Sequence, residues 1–252
     1  MINLLLSLVV AFLAALGIRL ANFSWAAAIV PSSLLFVGCY ILLARRTAKR
    51  FQAIVAQVQT ELQTMQAANP REQKARVDKT LQKLETARPL ARWQFMLEKE
   101  IEGFLGMIRY SLREESLAKT HLQKAGVRNF YASAIQAAMA YKSKDIESMR
   151  KYFELAVKYG RKESLMWAAY AWCFLQLKEK QKALAVLSRA VKLNPSDEKL
   201  KAALQAVQND KRLKMKAWEP AWWQLGLETP PTPQMSPFAA SKRSAMRAMR
   251  RS

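Results

Sequence analysis

The sequence predicts an all-α protein that begins with a two-helix transmembrane hairpin. The first observation behind this prediction is a pair of apolar segments near the N-terminus with a single charged residue between them. The second is the scarcity of helix breakers, with 7 Gly and 9 Pro in 252 residues, which leaves long segments rich in Ala, Leu, Lys, Gln and Glu. The third is a pattern of small and aromatic residues that recurs after about 34 residues in the second half of the chain.

The N-terminal segment has the composition of a membrane anchor. Residues 1–43 contain no Asp, Glu or Lys, and Arg19 is their only Arg. The apolar runs on either side of it, 1–18 and 25–43, would each rise about 27 Å as helices, close to the ~30 Å hydrocarbon core of a bilayer. A cleaved signal peptide is one alternative for the first run, but no basic residue precedes it and a second apolar run follows at once. Buried helices of a soluble protein are the other alternative. We expect a transmembrane hairpin over residues 1–44.

Basic residues directly follow the second apolar run. The segment ARRTAKR contains Arg45, Arg46, Lys49 and Arg50. Because loops rich in Lys and Arg stay on the cytoplasmic side, we expect both termini to be cytoplasmic and the chain to lie in a cell (inner) membrane. The same four residues are candidates for contact with anionic lipids or with nucleic acid.

The C-terminal segment 229–252 is rich in Pro, Ser and Ala and contains no acidic residue. Such a composition buries too little apolar surface to fold by itself, so we expect this tail to be disordered. Its basic residues are further candidates for contact with lipid or nucleic acid, and they are Lys242, Arg243, Arg247, Arg250 and Arg251.

Residues 45–98 are expected to form membrane-proximal amphipathic helices. In the first helix, apolar residues recur at intervals of three and four, as on one helix face, and they are Phe51, Val55, Val58, Leu62 and Met65. Two interpretations remain: the row packs against the chain's own helices, or its last four members form a short coiled-coil seam in a homodimer. Pro70 disfavours helix at the residue before it, so a second helix is predicted from 71 to 87.

An internal repeat lies farther along the chain. The segments 129–160 and 163–194 align when the sequence is shifted by about 34 residues. This shift places Ala on Ala at two positions and apolar or aromatic residues on one another at three more. Each segment contains two helical stretches joined by a lysine-rich turn, so the repeated unit is a pair of helices.

The second of these segments resembles the tetratricopeptide repeat family, whose units place Trp, Tyr, Ala, Phe and Pro at fixed offsets over about 34 residues. The residues that carry the resemblance, and that would pack the repeats together, are Trp167, Tyr170, Ala171, Phe174, Ala183, Leu187, Ala190 and Pro195. Weaker units at 130–163 and around Leu105 and Gly106 extend the resemblance to roughly 99–197. The resemblance implies a solenoid of about three helix pairs over 99–215, closed by a capping helix.

In this family the first helix of each pair lines a concave binding surface. Carried over position by position, the candidates for a partner-binding groove are Met107, Tyr110, Tyr131, Ala138, Tyr141, Leu165, Ala168 and Trp172. The Lys, Arg and Asn residues with which one variant of the family clamps a terminal carboxylate are absent at these positions. The groove is therefore expected to be apolar and aromatic, suited to a hydrophobic or helical peptide of a protein partner. The alternative is that these side chains only pack the solenoid.

Residue patterns typical of catalysis are missing from the sequence. The single His121 has no partners at metal-ligand spacing, Cys39 and Cys173 lie in apolar helices, and no phosphate-binding loop occurs. Acidic residues such as those in REES and EKEIEG are expected on solvated helix faces. We therefore expect neither enzymatic activity nor a cofactor.

A tryptophan-rich segment over 216–228 contains Trp218, Trp222 and Trp223. One interpretation is that it packs onto the last repeat. The other is that it docks at the membrane interface or serves as a peptide bound by another protein.

These features predict a non-catalytic scaffold or adaptor that binds a partner protein at the cytoplasmic face of a membrane. The net charge of +22 supports an alternative, a membrane-associated protein that binds nucleic acid or the ribosome. Surfaces for single-stranded RNA interleave aromatic residues with Arg. Here aromatic residues and basic clusters mostly lie apart, which favours the scaffold.

Overall fold

The computed structural model describes residues 1–64 and 70–229, with the backbone alone for 59, 62–64 and 70–77. All regular secondary structure in these ranges is helical, which confirms the predicted fold class. The helices are α1 (Ile2–Leu20), α2 (Trp25–Thr64), α3 (Pro70–Glu85), α4 (Arg88–Ala91), α5 (Leu97–Ser111), α6 (Glu115–Lys124), α7 (Phe130–Lys142), α8 (Ile146–Tyr159), α9 (Ser164–Gln176), α10 (Lys180–Leu193), α11 (Glu198–Gln208), a 3₁₀ helix (Met215–Trp218) and α12 (Ala221–Gln224).

The chain divides into two compact units. Unit 1 comprises Met1–Ala137 and Glu147–Arg161, and unit 2 comprises Ala138–Ile146 and the chain from Lys162 onward. Almost all of the predicted disordered tail, from residue 230, lies outside the described residues.

The two N-terminal helices of unit 1 form a hairpin. Along the interface of α1 with α2, the buried Asn3 side chain donates a hydrogen bond to Thr47 Oγ1 at 3.1 Å, so residue 3 lies level with residue 47. Both helices are long and apolar enough to cross a membrane. Their outer faces are exposed, as in Leu20 (77%) and Leu34 (70%). A core helix of a soluble protein would be mostly buried, which argues against that alternative.

α2 is a single helix of 40 residues. The sequence predicted two elements here, an apolar span followed by a separate amphipathic helix, and the structure joins them. The physical reason is composition: residues 39–69 contain neither Gly nor Pro, and 44–50 are mostly good helix formers. The helix also continues through Pro31 near its start. At 1.5 Å per residue it is about 60 Å long, twice the thickness of a hydrocarbon core.

The C-terminal half of α2 enters the core of unit 1. Phe51, Val55 and Val58 are buried in one cluster with apolar residues of α3 and α5, among them Leu84 and Ile101. The first interpretation of the amphipathic row, packing against the chain's own helices, therefore describes these three residues. The side chain of Leu62 and all of Met65, the other members of the row, lie outside the described residues. The homodimer seam stays a prediction.

A turn of one geometry recurs along the second half of the chain. Just past a helix end, a non-glycine residue has a φ of 55° to 63°, a left-handed conformation that such residues seldom adopt, and these residues are Arg113, Lys144, Lys178 and Asp210. At each turn the following N–H donates to the carbonyl five residues earlier at 2.8–3.0 Å, as in a Schellman motif. Successive turns are 31, 34 and 32 residues apart. One of these three intervals equals the predicted 34 residues and the other two are two and three residues shorter, while stacking into a solenoid stays a prediction.

Helix α9 is the centre of unit 2. Residues 165–174 are all buried, and α9 contacts α10, α11 and α12. Of the eight predicted repeat-packing residues, Pro195 alone is exposed. The predicted capping helix begins beside it, where the Asp197 carboxylate accepts hydrogen bonds from the backbone N–H of Lys199 at 2.9 Å and of Leu200 at 3.1 Å.

Gly106 allows the close packing of α5 against α6. A Cβ atom added there would lie 2.7 Å from Leu122 Cγ and 3.0 Å from the Leu122 backbone nitrogen. Leu122 and Ala118 of α6 are both fully buried, so the neighbouring atoms have little room to move away.

We predict that Gly106→Ala destabilises the protein by about 1–3 kcal/mol, because overpacking outweighs the better helix propensity of alanine. Thermal unfolding of the detergent-solubilised full chain, followed by circular dichroism, measures the effect. Gly38→Ala on α2 is the matched control, since a Cβ there meets nothing within 4 Å. An unchanged or raised melting temperature for Gly106→Ala would contradict the α5–α6 packing.

Candidate functional site

The structure places the eight predicted groove residues in two sets. Met107, Tyr110 and Tyr131 belong to unit 1, and the other five belong to unit 2. Only Met107, Tyr131 and Tyr141 are partly exposed, whereas the rest are buried. Within unit 2 the structure brings Tyr141 and Trp172 together, with ring centroids 5.9 Å apart in an edge-to-face arrangement. Burial, with a smaller effect of the nearby Cys173, raises the pKa of the Tyr141 hydroxyl.

The chain's own tryptophan-rich segment covers this aromatic pair. The ring of Trp222 is fully buried and lies 5.2 Å from that of Trp172. Its indole N–H donates to Glu228 at 3.0 Å, and the indole N–H of Trp218 donates to Ser164 Oγ at 2.9 Å. The first interpretation of this segment, packing onto the last helix pair, is the one observed. Trp172 therefore contacts its own chain rather than facing solvent.

A groove in unit 1 provides a more accessible site. It has a volume of about 480 Å³ and lies between the C-terminal half of α2 and the start of α5. Its lining residues are Ala48, Phe51, Gln52, Val55, Ala56, Gln94, Leu97, Glu100 and Phe104. On both helices they recur at helical spacing over about two turns, so one face of α2 and one face of α5 line the groove. Sequence reasoning missed this groove, because it depends on the contact between two elements about 45 residues apart, and only the apolar row on α2 signalled it.

Three polar side chains line the groove, and they are Gln52, Gln94 and Glu100. The Oε1 atom of Gln94 is buried and has no hydrogen-bond partner among the described residues. Glu100 is exposed along much of its side chain, yet partial desolvation of the carboxyl raises its pKa. The exposed carboxylate of Glu100 offers an acceptor to a ligand with hydrogen-bond donors or a basic group, whereas the Gln94 oxygen is buried away from such a ligand.

Glu102 corrects a sequence-based expectation. As part of EKEIEG it was expected on a solvated face, but its side chain is only 5% exposed. Its carboxylate accepts from Arg88 at 2.9 Å and pairs with His121 Nδ1 at 2.7 Å. Burial alone raises the pKa of Glu102, but the hydrogen bonds and charges of His121 and Arg88 outweigh it and hold the pKa below its ordinary value. The sequence contains one signal for the burial of Glu102. The residue lies one turn before Gly106 and therefore on the helix face that packs against α6.

The cluster of Arg88, Glu102 and His121 links three helices to one another. Its three side chains come from the start of α4, from α5 and from α6, and each oxygen of Glu102 has a cationic or hydrogen-bonding partner. Among the described residues, no group of three His, Cys, Asp or Glu side chains is placed to hold a metal ion. The burial of the Cys173 thiol raises its pKa, which keeps it protonated and unreactive.

Of the nine basic residues predicted to contact lipid or nucleic acid, four lie within the described residues and five do not. Arg45, Arg46, Lys49 and Arg50 are all exposed on α2, just beyond its apolar part. The five basic residues of the tail lie outside the described residues.

No protein-family model matches the chain, and neither the curated proteins nor the solved structures show a match to it. The resemblance to tetratricopeptide repeats therefore rests on the residue pattern and on the interval between turns.

We predict that Glu102→Gln destabilises the protein by about 1–3 kcal/mol at neutral pH, because Arg88 and His121 lose a charged acceptor. The pH dependence follows from the lowered pKa of Glu102 in the folded protein. Its contribution is complete above the ordinary carboxyl pKa of about 4.3 and is lost as pH falls through the lower folded value. Chemical unfolding of the full chain between neutral and acidic pH measures both effects.

The exposed Glu98 of the same helix is the matched control. Glu98→Gln should change the free energy of unfolding much less. This variant should still lose stability at acidic pH, as the wild-type chain does. If Glu102→Gln unfolds like the wild type at every pH, Glu102 does not tie these helices together.

Proposed function

We propose that the chain is a non-catalytic, membrane-anchored docking protein that holds a partner protein at the cytoplasmic face of a cell membrane. The observation that carries this proposal is the continuity of α2, whose exposed apolar half and buried amphipathic half share one helix. A chain built in this way fixes its helical unit directly at the bilayer surface, without a flexible linker. The basic residues from Arg45 to Arg50 support the cytoplasmic orientation.

The groove between α2 and α5 is the proposed binding site for the partner. The groove is lined by one face of α2 and one face of α5 and is apolar at Phe51, Val55 and Phe104, which suits the apolar row of an amphipathic helix. Small residues at the edge, Ala48 and Ala56, permit close approach of a partner backbone. Glu100 supplies a negative charge, so the proposed partner is an amphipathic helix with an apolar row and a basic residue beside it.

The helical pairs provide further candidates for contact with a partner. Their recurrent turns support the proposal that they are built like tetratricopeptide repeats. The predicted groove residues that are partly exposed are Met107 and Tyr131 in unit 1 and, separately, Tyr141 in unit 2.

The nucleic-acid alternative is less well supported by the placement of the aromatic rings in unit 2. Binding of single strands relies on exposed rings on which bases stack. The buried tryptophans of this unit are Trp167, Trp172, Trp218 and Trp222, whereas unit 1 exposes Trp93 and Phe95 near basic residues. Binding through phosphates alone remains compatible with the charge, and it would show a steep loss of affinity with salt.

We predict that a photo-crosslinking residue at Gln52 forms one discrete product with a partner protein in intact cells, because Gln52 lines the groove and is exposed. Immunoblotting against a C-terminal tag, followed by mass spectrometry, detects the product. Gln57 is the matched control: it is an exposed Gln on the same helix that does not line the groove. Equal products from both positions, or none from Gln52, would contradict the groove as the docking site.

We also predict the orientation of the chain. A reporter enzyme fused after Ser252 should behave as a cytoplasmic protein, because the basic cluster at the end of the second apolar run resists translocation. Reporter activity on the opposite side of the membrane would overturn the orientation and the cytoplasmic docking function with it.

A further inference from the structure

The loop between α4 and α5 exposes two aromatic side chains that are two residues apart in the sequence. Trp93 is 41% exposed and Phe95 is 61% exposed. Large exposed aromatic residues that lie together commonly mark a contact surface. The loop ends at Met96, whose left-handed φ of 70° turns the chain into α5.

Backbone hydrogen bonds fix this loop to the start of α1. The first N–H groups of a helix lack partners within the helix, and α1 has no side-chain cap. The N–H of Ile2 donates to the carbonyl of Arg92 at 3.0 Å, and the N–H of Asn3 donates to the carbonyl of Trp93 at 3.1 Å. The loop thus supplies the acceptors that α1 lacks. Because Asn3 lies level with Thr47, the loop stands at the start of α1 and near the end of the apolar part of α2.

Basic residues outnumber acidic ones around this loop, although Glu98 and Glu100 follow it in the first turn of α5. Arg92 is exposed, and so are the four basic residues between 45 and 50. Neither residues 1–60 nor residues 86–97 contain an Asp or Glu. Aromatic rings beside Lys and Arg at the end of an apolar helix are the pattern of a membrane–water interface. The opposite end of the hairpin has the same character, since the Arg19 guanidinium lies 5.8 Å from the ring of Trp25.

We propose that the loop at 92–96 is a further membrane contact, with Trp93 and Phe95 inserted at the boundary between headgroups and acyl chains of an anionic leaflet. The occupant of this exposed aromatic surface is therefore lipid. The contact joins the helical unit to the bilayer at a second point beside α2, and it restrains rotation of the unit about that helix. The proposed loop contact rests on the proposal that α1 and α2 span the membrane.

The test uses nitroxide labels on the full chain in bilayers of phosphatidylcholine with phosphatidylglycerol. Cys39 and Cys173 are replaced by Ala, and a single cysteine is introduced by Phe95→Cys, Leu34→Cys or Leu117→Cys. Leu34 is the reference within the apolar part of α2. Leu117 is the matched control, an apolar residue 47% exposed at the opposite end of the α5–α6 pair. Relaxation by oxygen, which partitions into lipid, is compared with relaxation by a water-soluble nickel complex.

The label at 95 is expected to be relaxed more by oxygen than by the nickel complex, whereas the label at 117 shows the reverse. Adding Trp93→Ala to the chain labelled at 95 should shift its ratio towards that of 117. A water-exposed label at 95 beside a lipid-exposed label at 34 would overturn the loop contact and leave the spanning hairpin intact. A water-exposed label at 34 would overturn the spanning hairpin and the loop contact together.

Discussion

The structure depends on the continuity of one helix, α2. An α-helix satisfies its backbone hydrogen bonds internally, so it can pass from an apolar environment to an aqueous one without exposing unpaired N–H and C=O groups. The first half of α2 is apolar and exposed, and the second half is buried among α3 and α5 through Phe51, Val55 and Val58. Hydrogen bonds from Thr80 and a salt bridge from Lys83 to Glu61 strengthen the contact of α2 with α3. Any orientation that α1 and α2 adopt is therefore imposed on the helical core of unit 1.

The distribution of polar and aromatic groups follows from this arrangement. Buried polar side chains in unit 1 are paired where they join elements, as Asn3 pairs with Thr47 and Glu102 with Arg88 and His121. In unit 2 the aromatic residues pack on one another and form part of its hydrophobic core. The exposed features of unit 1 on which the proposals mainly rest are the groove beside α2, the basic residues after the apolar run, and the aromatic loop before α5. All three involve the start of α5 or the C-terminal half of α2, so the proposed binding functions lie where the apolar segments of the hairpin stop.

Much of the fold could be predicted from the sequence, because it depends on local patterns. The apolar runs, the amphipathic row on α2 and the interval between helix pairs are all periodic signals that adjacent residues carry. The continuity of α2 is not predicted, because the composition changes from apolar to basic at Ala44, although no helix breaker lies there. The burial of Glu102, the groove and the covering of Trp172 by Trp222 depend on contacts between distant segments, which no local pattern encodes. Sequence reasoning found the aromatic residues of unit 2, but it could not show that the chain itself covers Trp172.

The central claim is that α2 passes unbroken from the membrane into the helical core. Hydrogen–deuterium exchange of the full chain in lipid nanodiscs tests it directly at residues 44–50, which lie between the apolar span and the first core residue, Phe51. These residues are largely exposed to solvent, so only an intact, packed helix can protect their amides from exchange. The account predicts protection at 44–50 comparable to that at 51–58. Rapid exchange at 44–50 between two protected segments would show a flexible linker and would contradict the account.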